Sequence, residues 1–132
     1  IASPARCSIR FDMRVEVSRP GPALLDQGAH VAEPSSAQIR ADVLTARVRQ
    51  LDRQGCINSA LEGKALEQHV WLKDDDRLLL TNAAERWGLS ARACHRVLRV
   101  ARSIADLERR DGVQTNDLAE ALGYRLGEGV QG

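Results

Sequence analysis

The chain has 132 residues, which is the length of one domain at roughly 100–200 residues per domain. Apolar residues make up 43% and charged residues 28%, a balance typical of a soluble globular protein. The formal net charge of +1 excludes a strongly basic nucleic-acid coat protein and a polyacidic tail, although it leaves room for a local basic patch.

The N-terminal third is predicted to be non-helical. Apolar and charged residues alternate over residues 11–17, and a period of two places the apolar ones on one face of a half-buried strand. Because this strand has no partner here, we expect it to be frayed or to pair with a sheet outside the chain. Prolines and glycines over residues 18–34 predict an exposed connector.

From residue 35 onward the apolar spacing follows the helical period of 3.6. Ser35-Ser36-Ala37-Gln38 has the pattern of a capping box, and Gly55 is suited to end the helix that follows it. Ser90 and Thr115 are predicted to cap later helices. The predicted helices are 36–54, 63–69, 74–87, 91 to about 110, and 116 to about 124.

These helices predict a mainly α, compact bundle of four to five helices over residues 35–125, followed by a disordered tail over 126–132. Trp71 and Trp87 are predicted to anchor its core. The histidines are too scattered for a metal motif, and consecutive aspartates at 74–76 do not converge on one ion, so no metal site is predicted.

The predicted helix after Ser90 carries an arginine stripe. At about 100° per residue, Arg92, Arg96 and Arg99 fall close together on the helix surface, flanked by His95 and Arg102. No acidic residue lies between positions 87 and 105, so these arginines are predicted to lack a carboxylate on their own helix. The opposite, core face is predicted to comprise Cys94, Val97, Leu98, Ala101, Ile104 and Ala105.

Arg92 is the strongest candidate for an anion contact. It lies in the first turn after the Ser90 cap, where backbone N–H groups also point out of the helix end. Arg96 and Arg99 extend the same face, and the planar guanidinium group suits phosphate. The alternative is that the stripe is solvated, or pairs with acids of the helices over 36–54 or 74–87.

Residues 88–107, from Gly88-Leu89-Ser90-Ala91-Arg92 to Asp106-Leu107, resemble the C-terminal segment of the magnesium-chelatase-like ComM (YifB) family of bacterial AAA+ ATPases. The family has Tyr where this chain has Cys94. The resemblance continues through residues 117–122 and 124–125, and covers roughly residues 10–125.

The resemblance implies that residues 35–125 form the helical lid of an ATPase and that residues 1–34 hold the end of its αβα core. Arg92 would be the sensor 2 arginine that contacts the nucleotide γ-phosphate, with ATP and Mg as cofactors of the full-length protein. The expected partners are the remainder of the AAA+ core, further copies in a homo-hexamer, and DNA during branch migration or helicase work in natural transformation. The chain has three cysteines and no CxxC pair, which favours the reducing cytoplasm as its location. No membrane contact is expected.

Arg10 is the candidate arginine finger, because Ile9-Arg10-Phe11-Asp12 is similar to the element that precedes the final strand in the related helicase and chelatase branch. The family has Gly-Pro-Leu-Leu-Asp directly before that arginine, and this chain does not. Residues 21–26 offer a rival match to the string, but no arginine follows them.

Neither a GxxxxGK[ST] loop nor an acidic Walker B strand occurs in the 132 residues, so the chain alone is not expected to hydrolyse ATP. The chain begins at Ile1 rather than Met, which favours a fragment of a longer protein or a processed chain. The alternative function is a non-catalytic helical module that binds nucleic-acid phosphates or a protein partner through its arginine-rich helix.

Overall fold

The computed structural model describes residues 11–19, 21 and 32–126, and the regular secondary structure in this part is helical. Most of the predicted connector lies outside the described residues. So does the predicted tail from residue 127 on. The elements in chain order are α1 (Ser36–Gln54), a 3-10 turn (Asn58–Ala60), α2 (Gly63–His69), α3 (Asp74–Trp87), α4 (Ala91–Leu107) and α5 (Thr115–Leu126).

The helix boundaries follow from the predicted caps. Ser35 Oγ accepts a hydrogen bond from the Gln38 amide at 3.2 Å, and Gln38 Oε1 accepts one from the Ser35 amide at 2.7 Å, which confirms the capping box of α1. Gly55 and Gly88 end α1 and α3 in the left-handed conformation, with φ of 75° and 63°. The mainly α bundle of four to five helices predicted from the sequence is confirmed, with five α-helices among the described residues.

Helix α4 forms the centre of the bundle and packs against α1, the 3-10 turn, α2 and α5. Its alanines Ala101 and Ala105 are fully buried, which lets the neighbouring helices approach closely. The main cluster of buried apolar side chains comprises Leu61, Leu66, Val70, Leu72, Ala83, Val97, Val100, Ala101, Ala105, Val113, Leu118, Ala121 and Leu122. Within the described residues, no helix is both long enough and apolar enough to span a membrane.

The strand predicted over residues 11–17 is not formed. Residues 11–19 have no regular secondary structure, and no strand to pair with exists among the described residues. Phe11 is 63% exposed and Val17 89%, so the predicted apolar face is not buried.

The core of the bundle differs from the prediction at its aromatic positions. Trp71 is 67% exposed and Trp87 38% exposed, so neither is a core anchor. Trp87 instead lies under the guanidinium of Arg86, 5.0 Å from the ring centre. On α4, Ala93 and Val100 are buried, whereas the predicted core residues Cys94, Leu98 and Ile104 are half-buried.

Two predicted helix ends also shift. Helix α4 ends at Leu107, not near residue 110, because the chain turns there with Arg109 in the left-handed region at φ 58°. Helix α5 begins at Thr115, whose hydroxyl donates to Asp76 Oδ1 at 2.5 Å rather than capping the helix. The carboxylate of Asp117 accepts a hydrogen bond from the Gln114 amide at 2.8 Å. Asp117 therefore closes the N-terminal end of α5 in place of Thr115.

Candidate functional site

The N-terminal end of α4 is an open, electropositive helix start. Gly88 turns the chain out of α3, and Ser90 Oγ accepts from the Ala93 amide at 3.2 Å, so α4 begins at a fixed point. Its first turn has no acidic residue, in contrast to the three aspartates that open α3. The partial positive charge of this helix end is therefore not neutralised by a carboxylate of its own first turn.

Arg92 projects from this first turn and is exposed. In the part of the chain that the structure describes, its guanidinium has neither a hydrogen bond nor an ion pair. A guanidinium and the outward-facing amides of a helix start are together suited to bind an anion such as phosphate. The structure thus leaves the strongest sequence candidate accessible.

Arg96 and Arg99, the other two candidates of the stripe, are engaged within the chain. Arg96 Nε lies 3.3 Å from Asp12 Oδ1, and its side chain is 24% exposed. Arg99 Nε donates to the Leu61 carbonyl at 2.8 Å and thereby ties α4 to the end of the 3-10 turn. The stripe therefore consists of one accessible arginine followed by two that hold other segments in place.

Arg102, predicted at the edge of the stripe, is buried. Its guanidinium donates to Asp106 Oδ1 at 3.0 Å and to the carbonyls of Arg110 and Asp111 at 2.8 and 2.7 Å. Asp106 follows Arg102 at the i,i+4 spacing, so the expectation that these arginines lack a carboxylate on their own helix is wrong for Arg102. The acid lies one position beyond the acid-free stretch.

Asp106 is the centre of this buried network. Arg53 from α1 donates to both of its carboxylate oxygens, at 2.7 and 3.1 Å, and Asn58 donates to Oδ2 at 2.8 Å. Burial by itself would raise the pKa of Asp106, but the hydrogen bonds from Arg53 and Asn58 and the charge of Arg102 bring that pKa below its usual value. The network joins α1, the 3-10 turn and α4, and holds α4 in a fixed position.

Residues 11–14 lie against the N-terminal half of α4 and the C-terminal end of α5. The Arg14 amide donates to the Tyr124 carbonyl at 2.8 Å, and the Arg125 guanidinium donates to the Phe11 carbonyl at 2.8 Å. With the Asp12–Arg96 ion pair, these contacts fix residues 11–14 beside the arginine helix. Arg10, the candidate arginine finger, lies outside the described residues.

The remaining polar candidates do not form a second site. Among the described residues, no group of three or more His, Cys, Asp or Glu side chains is placed to hold a metal ion. Of the three aspartates that open α3, Asp76 is buried and accepts from Thr115. Burial raises the pKa of the Cys94 thiol, so this cysteine is a neutral packing residue at pH 7.

Comparison with known proteins gives a family match over most of the chain. The model of the family described as magnesium chelatase, subunit ChlI C-terminal, matches residues 33–125. This range includes the whole described bundle from α1 to the last turn of α5 and excludes the segment of residues 11–19.

Three bacterial proteins align with the chain over 116 residues, which is 88% of its length. The competence protein ComM of Haemophilus influenzae is 42% identical, and the uncharacterised YifB proteins of Salmonella typhimurium and Escherichia coli are 40% and 37% identical. The chain spans 23% of the length of each of these relatives. The matches confirm the family resemblance drawn from residues 88–107.

Proposed function

Because the chain belongs to the magnesium chelatase ChlI C-terminal family, we propose that it is the helical lid of a magnesium-chelatase-like AAA+ ATPase. In this role it closes over a nucleotide that the αβα core of the full-length protein holds, with ATP and Mg as cofactors. The core carries the phosphate-binding loop that the 132 residues lack. The lid supplies positive charge to the phosphates.

The observation that carries the proposal is the state of Arg92. It is exposed at the start of α4, in a turn without acids, and has no partner in the described part of the chain. A guanidinium held ready in this way stabilises the charge that develops on a transferring phosphoryl group, which is the usual contribution of arginine to phosphoryl transfer.

We test the role of Arg92 with Arg92→Ala in the full-length protein. Steady-state ATP turnover should fall by about 10²-fold, the typical loss when one preorganised charge contact is removed. Circular dichroism should be unchanged, since the side chain is exposed and makes no hydrogen bond or ion pair with the described bundle. Arg77→Ala is the matched control, because Arg77 is another exposed arginine, on α3, and should leave turnover at the wild-type level. Wild-type turnover in Arg92→Ala would overturn the proposal.

Assembly and DNA work follow from the same proposal. In a ring of identical subunits, Arg10 of one subunit would act on the nucleotide of the next, and the ATPase cycle would drive branch migration or helicase activity in DNA recombination. The name of the Haemophilus relative, a competence protein, supports the part of this proposal that concerns natural transformation. Arg10→Ala should lower turnover in the assembled ring while nucleotide binding is retained, as expected for an arginine supplied in trans.

Direct binding of nucleic acid by the arginine helix is the weaker candidate. It needs a continuous basic face, but Arg96 and Arg99 contact Asp12 and the Leu61 carbonyl. A purely structural role for the stripe is also weakened, because it requires carboxylate partners for all three arginines, and within the described residues Arg92 has none. A gel-shift series at increasing salt on the 132-residue chain separates DNA binding from the lid function.

A further inference from the structure

Helix α1 contacts the rest of the bundle through a mostly polar side. Arg49, Gln50 and Arg53 form hydrogen bonds with other segments of the chain, and Ala46 is buried on the same side. At about 100° per residue these four positions lie within about 100° of each other around the helix. The opposite side of α1 therefore faces solvent.

That opposite side carries an apolar seam with the spacing of a coiled coil. The seam comprises Ala37, Ala41, Leu44, Val48 and Leu51, all of which are exposed. Successive members are four and three residues apart in turn, which is the a/d pattern of a helix that packs against a second helix. Leu44, Val48 and Leu51 are 53%, 54% and 44% exposed. A continuous row of exposed apolar side chains marks an interaction surface.

Charged residues flank the seam. Arg40 and Arg47 lie along one side of it, at g positions of the heptad, and Asp52 lies along the other side, at an e position. All three are exposed, and in the described part of the chain they form neither ion pairs nor hydrogen bonds. In a parallel pair of helices, a g residue faces the e residue five positions later on the partner, so Arg47 faces Asp52 of the partner subunit. An antiparallel pair places g beside g, where arginines repel one another.

We propose that the seam of α1 binds the same seam on a second copy of this chain, so that two α1 helices form a short parallel coiled coil. Val48 is at an a position and Leu44 and Leu51 are at d positions, the combination that favours two strands. The pairing of Arg47 with Asp52 occurs twice, once on each side of the coiled coil, because the contact has two-fold symmetry. The apolar spacing supplies affinity and the charges set the parallel orientation.

The position of the seam leaves room for a second copy. The bundle lies on the opposite side of α1, so the two bundles project away from the contact in opposite directions. A two-fold contact joins two chains only, whereas a ring needs head-to-tail contacts. The proposed pairing is therefore independent of the ring and of the lid function.

Sedimentation equilibrium of the 132-residue chain, which contains the whole bundle, tests the pairing. The mass should rise from one chain towards two between about 10 µM and about 1 mM, as expected for a small contact. Val48→Glu places a charge in the seam and should raise the dissociation constant at least about tenfold. Val43→Glu is the matched control, because Val43 is a valine of α1 with a similar exposure of 51% but lies about 120° from the seam. It should associate as the wild type does. Glutamate favours helix, so circular dichroism should be unchanged in both variants.

Two further variants test the charge pattern at low salt. In Arg47→Asp alone, or Asp52→Arg alone, like charges face each other on both sides of the seam, and the dissociation constant should rise at least about threefold. In an equimolar mixture of the two variants, each flanking contact between unlike chains again joins opposite charges. The mixture should therefore associate as tightly as the wild type.

Three outcomes would overturn the pairing. A chain that stays monomeric at about 1 mM leaves the seam to another part of the full-length protein. Association that Val48→Glu does not weaken places the contact elsewhere on the molecule. A mixture that associates no more tightly than its two components rules out the parallel arrangement. The role of Arg92 is measured by ATP turnover and stands or falls separately.

Discussion

Asp106 shows how one buried carboxylate can hold three segments together. Moving a carboxylate out of water is costly, and the cost is recovered only when several hydrogen bonds and opposite charges surround it. Asp106 has four such bonds, from Arg53, Asn58 and Arg102. Because Arg102 is itself buried, each charge depends on the other.

We predict that Asp106→Ala lowers the free energy of unfolding by about 3–5 kcal/mol, since it leaves the charge of Arg102 buried without its carboxylate. Urea denaturation of the 132-residue chain measures the change. Asp111→Ala is the matched control, because Asp111 pairs with Arg49 at 2.8 Å but its side chain is fully exposed, and it should cost less than about 1 kcal/mol. Equal losses in the two variants would contradict the prediction.

At single residues, periodicity predicts burial for part of the aliphatic face of α4 and fails for charged and aromatic side chains. Val97, Ala101 and Ala105 are buried as predicted. Arg102 is buried against the pattern, because Asp106 and two carbonyls accept hydrogen bonds from its two terminal nitrogens. A periodicity that treats every charge as exposed does not detect such pairs. The available signal was the i,i+4 spacing of Arg102 and Asp106.

Among the helices, the ends were predicted most closely where a side chain or a glycine stops the helix. Ser35, Gly55, Gly88 and Ser90 lie where the sequence placed them, since caps are local interactions. The end of α4 was placed about three residues too late. After the helix ends, Arg102 donates to the carbonyls of Arg110 and Asp111, eight and nine residues further along the chain, and local propensity does not contain this contact.

The C-terminal end of α4 is a Schellman motif without glycine. The Arg110 amide donates to the Ala105 carbonyl at 2.8 Å and the Arg109 amide to the Asp106 carbonyl at 3.1 Å. Arg109 occupies the left-handed position, with φ 58°, where a side chain with a Cβ is disfavoured by about 1–2 kcal/mol. The exposed pair of Arg109 with Asp42, at 3.4 Å, offsets little of this.

We therefore predict that Arg109→Gly raises the free energy of unfolding by about 0.5–1 kcal/mol. Glycine adopts the left-handed conformation without strain, and this gain is reduced by the larger entropy of glycine in the unfolded chain. Urea denaturation tests this against Arg109→Ala. The alanine variant loses the same side chain but keeps the strained backbone, so it should not exceed wild type. A stability of Arg109→Gly at or below that of Arg109→Ala would show that the left-handed conformation costs nothing here.

At the scale of the whole molecule, the bundle is built around α4, and α1 is only partly covered. Of the apolar residues of α1, Ala46 is buried, whereas Ile39, Val43, Leu44, Val48 and Leu51 are 44–54% exposed. Helical spacing correctly predicted that α1 is a helix but not which of its faces is covered, because apolar residues lie on more than one side of it. The chain spans 23% of the length of each of the three relatives that it matches.

The buried network also determines how the bundle responds to acid. The pKa of Asp106 is lower in the folded chain than the value of about 3.9 that applies when it is unfolded. As the pH falls, the unfolded chain takes up this proton first, so the stabilisation from Asp106 is fully present above about pH 5 and is lost as the pH falls through the folded pKa.

We predict that the free energy of unfolding of the wild type decreases more steeply between about pH 5 and about pH 3 than that of Asp106→Asn, which cannot take up this proton. Urea denaturation at several pH values gives the slopes. The chain has 18 acidic residues, whose protonation adds a general charge effect to every variant, so Asp111→Asn serves as the control for that effect. Because Asp111 is fully exposed, its variant should follow the wild-type slope. Parallel slopes for Asp106→Asn and Asp111→Asn would mean that the pKa of Asp106 does not change on folding.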